Sequence, residues 1–245
     1  MGLFGSDDRP AHREADLPAP EDAGPLDSIA NAFVNRIMDT GIDGIGPFSS
    51  SSKVAADALA KHRGDVRKAV REVVSDHVKL AGAGGFATGV GGIITMPVSL
   101  PANVLGFYAI ATRMVAAVAE LRGYDVSSPG ARAAVLLSLV GADADDLLQK
   151  AGLGAVTGMT GSGRLARMAV SRMPKAAGMM INKAVGFRLL TTVGGKALAR
   201  FVRFVPIAGG IVGAGLDGIL MKRIADHARK EFVPRPAGEG SVHTP

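Results

Sequence analysis

Lys79 and Arg113 are separated by thirty-three residues, "LAGAGGFATGVGGIITMPVSLPANVLGFYAIAT", that include no Asp, Glu, Lys or Arg. Such a run can be a phosphate-cradling loop, a membrane span or a buried helix pair. The segment "GAGGFA" (Gly82 to Ala87) has the G-x-G-x-x-A spacing of a dinucleotide loop, which needs a strand before it and an acid about 20 residues after it. Here the preceding "VREVVSDHVKL" is a charged amphipathic helix, and the next acid is Glu120. As a span, Leu80 to Met96 is at the short limit for a hydrocarbon core about 30 Å thick, and its glycines and alanines weaken transfer into lipid. A helical hairpin fits better. Ala81, Gly85 and Gly89 recur every fourth residue and Gly92 follows three later, which leaves one helix face bare for close packing. Pro97 and Pro101 each remove a backbone donor and restrict the residue before them, so a turn is expected at "MPVSLP". The return helix is expected to run to Gly123.

The flanking sequence is helical as well. "LDSIANAFVNRIMDTG" spaces Ile29, Phe33 and Ile37 by four behind Asp27 as N-cap, with Gly41 as its close. A second helix ends at Gly64, and Asp65 caps a third whose Val66, Val70, Val73 and Val74 share a face opposite Arg67, Lys68 and Arg71. Ser128 and Pro129 take the N-cap and N1 roles of a further helix. Late in the chain, "VPIAGGIVGAGLDGIL" repeats the small-residue device through Gly209 and Gly213, and is expected to pack on the first glycine-rich helix. No period-2 strand pattern occurs. The expectation is an all-α fold: one multi-helix domain over 26–232, with a central Gly-rich apolar helical hairpin and disordered tails over 1–25 and 233–245.

The chain contains no Cys, which excludes disulfides, thiolate metal sites and cysteine nucleophiles. The first 25 residues show neither a cationic start nor an apolar h-region, so a cytoplasmic protein is expected. They carry six acids and two arginines, a net −4, so the rest of the chain carries +10 against a formal total of +6. The body is therefore distinctly basic.

That basicity is concentrated. No Asp or Glu occurs from Leu147 to Leu216, while ten Lys and Arg do. At 100° per residue, Arg164, Arg167, Arg172 and Lys175 share one arc opposite Leu165, Ala169, Val170 and Met173. Lys196, Arg200 and Arg203 share another. Basic amphipathic helices of this kind suit an anionic membrane surface, where each cation contributes about 1 kcal/mol. Nucleic acid is not the expected partner, because aromatic platforms and helix-turn-helix spacing are missing.

No catalytic constellation emerges. "VGGKAL" lacks the first Gly and the Ser/Thr of a Walker loop. Asp143, Asp145 and Asp146 can hold a cation or supply an acid, but directly ahead of "LLQKAG" they also complement a helix N-terminus. The five histidines have no metal-ligand spacing, and no cofactor or metal is expected. Two charges, Arg113 and Asp217, are embedded in apolar sequence and need partners; the expected pairing is with each other or with Glu120.

"GGIITMPVSLPANVL", "RMVAAVAELRGYD" and "VPIAGGIVGAGLDGILMKRIADHARKEF" resemble the EcsC family in content and order, over roughly Phe48 to Phe232. The resemblance implies a bacterial, mainly helical protein of a family named after the third member of an operon encoding an ABC transporter. It brings no catalytic residues. The function expected is that of a non-enzymatic accessory or regulatory protein, peripheral at the inner face of the cell membrane. It would dock on anionic lipid through its basic helices, partly insert the Leu80 to Thr112 hairpin, and serve a membrane protein complex such as a transporter. The alternatives are a soluble helical interaction module, whose hairpin is simply its core, and an enzyme acting on lipid or isoprenoid through Asp143 to Asp146.

Overall fold

The computed structural model describes residues 24–46, 48–90, 96–150, 163–170, 175–201 and 206–235. Among these are nine α-helices and no strand: α1 (Pro25–Met38), α2 (Ser51–Lys61), α3 (Val66–Val90), α4 (Met96–Leu121), α5 (Pro129–Val140), α6 (Ala144–Lys150), α7 (Arg164–Val170), α8 (Lys175–Phe201) and α9 (Pro206–Glu231).

Helix α4 is the axis of the fold. It packs against α1, α2, α3, α5 and α9, and every residue from Ala111 to Ala119 is buried. A helix apolar on all sides has to be covered on all sides, because no face can be given to water without losing burial. Val104–Leu121 has a mean hydropathy of 1.6, long and apolar enough to cross a membrane, yet 61% of it is already covered by protein. It is a core helix. Its neighbour α3 presents Ala69, Val70, Val73 and Val74 to the core, while Arg67, Lys68 and Arg71 are exposed, as the valine spacing predicts. The most extensive helix pair is α3 with α9. The two glycine-rich helices thus lie side by side, with Gly218 next to Val78. Gly92 lies outside the described residues.

Several boundaries depart from expectation for local reasons. Helix α1 starts at Pro25 behind Gly24, because a proline at the first helical position gives up only an N–H that would have no intrahelical partner. Asp27 is therefore a first-turn residue and not the cap. Gly41 does not end the first helix. The chain continues through a π-turn, Asp39–Asp43, and Gly44, at φ +78°, supplies the left-handed exit. What Gly41 provides is contact: a Cβ there would meet Thr112 Cβ at 2.6 Å and the Ala109 carbonyl at 2.8 Å, so glycine lets this turn lie on α4.

The turn expected at "MPVSLP" is not there. Helix α4 begins at Met96, ahead of both prolines. Pro97 lies where a helix has no intrahelical partner for its N–H, so only Pro101 costs a bond. The caps read from the sequence hold at two other sites. The Asp65 carboxylate accepts from the Lys68 amide at 3.0 Å, and Ser128 Oγ accepts from the Ala131 amide at 3.3 Å.

Helix α8 crosses α1 at Gly186, where a Cβ would stand 2.7 Å from the Ala30 carbonyl and 2.9 Å from Val34 Cγ2. One contact is backbone, so the helices would have to separate. Gly186→Ala is expected to lower stability by about 1–3 kcal/mol, read as a lower urea midpoint without loss of helical signal in the folded baseline.

Candidate functional site

The charges embedded in the apolar layer do not form the expected pair. Arg113, 9% exposed, points from α4 toward α3, where its Nε donates to His77 Nε2 at 3.1 Å. His77 Nδ1 in turn donates to the Val73 carbonyl at 2.7 Å, which fixes the neutral tautomer that leaves Nε2 as acceptor. Burial, reinforced by the Arg113 charge, holds His77 down at about 4. The guanidinium also lies over the Phe48 ring, 5.5 Å from its centroid, a cation–π contact. Arg113 thus keeps its charge with an imidazole and an aromatic face in place of a carboxylate. Glu120 is taken elsewhere: its Oε1 accepts from Ser51 Oγ at 2.6 Å.

Asp217 has no ion-pair partner among the described residues. Half-buried on α9, it is pushed up to about 6 by burial, and its charge adds to the burial that raises Tyr108 on α4 to about 12. Lys79, Arg113 and Asp217 are the first charges met on α3, α4 and α9 when moving away from their uncharged ends.

The opposite end of the bundle holds a second cluster. Arg122, just past α4, donates through Nη1 to the carbonyls of Arg229 and Phe232. Tyr124 Oη donates to the Val233 carbonyl at 2.8 Å, and its ring meets Phe232 edge-on at 5.3 Å. The Arg235 amide donates to the Arg122 carbonyl at 3.1 Å. Residues 233–235, expected to begin a disordered tail, are therefore held against the α4–α5 turn. Glu231, 2% exposed, accepts from the Leu165 amide at 3.3 Å and so caps α7. Periodicity gave no sign of these roles, since they depend on where backbone carbonyls from the far end of the chain arrive. In the sequence these residues appear only at the ends of two of the segments that resemble the EcsC family.

The basic residues divide among several elements. Arg164 and Arg167 belong to α7, Lys175 opens α8, and Lys196 and Arg200 lie near its C-terminal end. Arg172 and Arg203 lie outside the described residues. Of the amphipathic helix expected from Arg164 to Lys175, residues 171–174 lie outside the described residues. In α7 the buried residues include Leu165, Ala166 and Met168, whereas Val170, expected on the apolar arc, is 54% exposed. Two other cations of the acid-free run serve the fold. Lys183 pairs with Asp27 at 2.6 Å, and Arg188 grips Asp143 through Nε at 3.0 Å and Nη2 at 2.5 Å.

That last pair bears on the acidic cluster. Asp143 ties the start of α6 to α8, and Asp145 and Asp146 occupy the first turn of α6, where carboxylates favour the helix dipole. Among the described residues no group of three His, Asp or Glu is arranged to hold a metal. A surface cleft of about 400 Å³ between α2 and α3 is lined by Lys61, His62, Lys68, Arg71 and Glu72 among others. Its two acids are already engaged: Glu72 meets Lys61 at 2.9 Å and His62 at 2.6 Å, and Asp76 meets Lys79 at 3.5 Å.

Comparison with known proteins adds one match. A family model described as the EcsC protein family matches residues 64–235, from the start of α3 to the residues docked on Tyr124. No curated protein matches the chain, and no solved structure matches it.

Proposed function

We propose, from the premise that this chain belongs to the EcsC protein family, that it is a non-enzymatic accessory or regulatory protein that docks on anionic membrane. The observation that carries this reading is the acid-free run from Leu147 to Leu216 with its ten cations. Two of them, Lys183 and Arg188, are used in ion pairs with Asp27 and Asp143. Arg164, Arg167, Arg172, Lys175, Lys196, Arg200 and Arg203 are the residues assigned to lipid phosphates. Docking at the inner face of the cell membrane would place the protein beside a partner such as a transporter complex.

Vesicle co-sedimentation tests the reading. The purified chain is expected to pellet with phosphatidylglycerol-containing vesicles at low salt, to stay in solution with phosphatidylcholine alone, and to be released by high salt as the attraction is screened. Exchanging Arg164, Arg167, Lys196 and Arg200 for Glu together should weaken binding at least tenfold. A chain that stays in the supernatant under every condition is not a membrane-docking protein. The second reading, a soluble interaction module, is favoured by the protein cover over Val104–Leu121, and that result would select it.

A further inference from the structure

Helices α3 and α4 are joined by residues 91–95 alone, and His77 meets Arg113 well back from that junction, so they run antiparallel. Helix α9 runs parallel to α4: Asp217 acts on Tyr108 at one level, and Arg122 reaches Arg229 and Phe232 at another. The C-terminal end of α3 and the N-terminal ends of α4 and α9 therefore project from the same end of the bundle. All three are uncharged: residues 80–90 of α3, 96–107 of α4 and 206–216 of α9 contain no Asp, Glu, Lys, Arg or His.

Apolar side chains are exposed where this end begins. Leu216, Ile219 and Leu220 are 41%, 52% and 46% exposed on one stripe of α9, and Leu80 on α3 is 41% exposed. The antiparallel register that sets Gly218 beside Val78 brings Leu80 level with Leu216. One turn after Leu220 the stripe meets Arg223, which is exposed. Cations outnumber acids at the border of this end, where the acids are Asp217 beside Leu216 and Asp76, which pairs with Lys79 at 3.5 Å. Lys79 immediately precedes Leu80, and Lys196 and Arg200 are near the end of α8, which only residues 202–205 separate from α9.

We propose that the uncharged ends of α3, α4 and α9 together form an insertion surface that enters the acyl region of one anionic phospholipid leaflet without crossing the bilayer. This rests on the membrane-docking reading and deepens it, by adding α9 to the hairpin and by fixing the depth. At 1.5 Å per residue the uncharged stretches are about 16–18 Å long, and because Ala81, Val104, Leu105 and Phe107 pack on the core, the length left to insert is at most about half of a hydrocarbon core about 30 Å thick. Charge complementarity selects the occupant. Apolar helix ends bordered by Lys and Arg match the layering of acyl chains under phosphates, and long basic side chains can reach back to the headgroups.

Because the chain has no Cys, a single introduced cysteine carries a dye to one place. Variants Leu216→Cys, Leu220→Cys, Arg223→Cys and Ser127→Cys alter exposed positions, the last in the turn at the opposite end. Each is labelled with an environment-sensitive fluorophore and mixed with phosphatidylglycerol-containing vesicles, with sedimentation measured on the same samples. Expected is a severalfold emission increase at 216, less at 220, little at 223 and none at 127, with quenching at 216 and 220 by acyl-chain spin-labelled lipid. A protein that sediments with vesicles while position 216 stays water-exposed overturns insertion and leaves docking intact. Failure to sediment removes both. A concentration-dependent signal at 216 without vesicles assigns the surface to a second copy of the chain and also overturns the proposal.

Discussion

Phe232→Ala is expected to lower stability by about 3–5 kcal/mol, seen as a large drop in urea midpoint. Among the described residues Phe232 is the largest side chain that is fully buried. It closes the end of the bundle where Arg122, Tyr124 and residues 233–235 converge. Its loss would leave a cavity and also remove the edge-on contact with Tyr124 at 5.3 Å, which contributes about 0.5–1.5 kcal/mol beyond burial. The damage should spread to α7, because Glu231, adjacent in sequence, caps that helix through the Leu165 amide. Phe232→Leu would keep most of the volume and lose only the ring contact, so it should cost less than half as much. Equal costs for the two variants would show that the aromatic contact, and not the filled volume, supports this end.

The second large effect concerns His77 and has a pH signature. His77→Leu keeps volume but leaves the buried Arg113 Nε without its acceptor, a loss of about 2–3 kcal/mol at neutral pH. Arg113→Met should be far milder, because a buried charge is exchanged for apolar contact. In the parent chain His77 is held at about 4 in the fold, against 6.5 when unfolded. The unfolded state then binds the extra proton between those values, and stability present above pH 6.5 is lost as the pH falls toward 4. The shift corresponds to about 3 kcal/mol.

Asp217 acts in the opposite sense. Its folded value of about 6 lies above the ordinary 3.8, so the native state binds the extra proton between pH 3.8 and 6 and gains stability as the pH falls through 6. Because Asp217 is only half-buried, solvent screening reduces this to about 1 kcal/mol. Unfolding measured from pH 7 to 4 should therefore show a steeper loss in Asp217→Asn than in the parent, and a nearly flat or rising profile on acidification in His77→Leu. A His77→Leu profile as steep as the parent's would mean that another group sets the acid sensitivity.

The helices, and the way they are capped at Asp65 and Ser128, could be read along the chain because their causes are local. Valines at 70, 73 and 74 must share a face in any helix, and Ser followed by Pro suits the N-cap and N1 positions of a helix. The boundaries that moved did so for reasons that lie elsewhere in the fold. Gly41 stays inside a continuing helical turn because Thr112 and Ala109 press against it, and no neighbour in sequence announces that contact. Likewise the apolar arc behind Arg164 and Arg167 correctly includes Leu165, whereas Val170 is exposed and Ala166 and Met168 are buried in its place.

The embedded charges show the same division more sharply. That Arg113 and Asp217 sit in apolar sequence is a fact of one dimension, and it correctly marks them as unusual. Which group answers each of them is decided by three-dimensional register, and an imidazole 36 residues away satisfies Arg113 in place of either candidate carboxylate.

Sequence alone determined that the chain is all-helical, that its domain carries a basic excess, that it contains an uncharged hairpin, and that it is akin to the EcsC family. These follow from periodicity, composition and motif order, which are properties of the chain itself. Tertiary structure decided how the hairpin is divided, with protein covering α4 from Tyr108 onward while the helix directions bring its start, the end of α3 and the start of α9 to the same end of the bundle. That division depends on which helices run parallel and where their charges come level, and covalent order does not contain either.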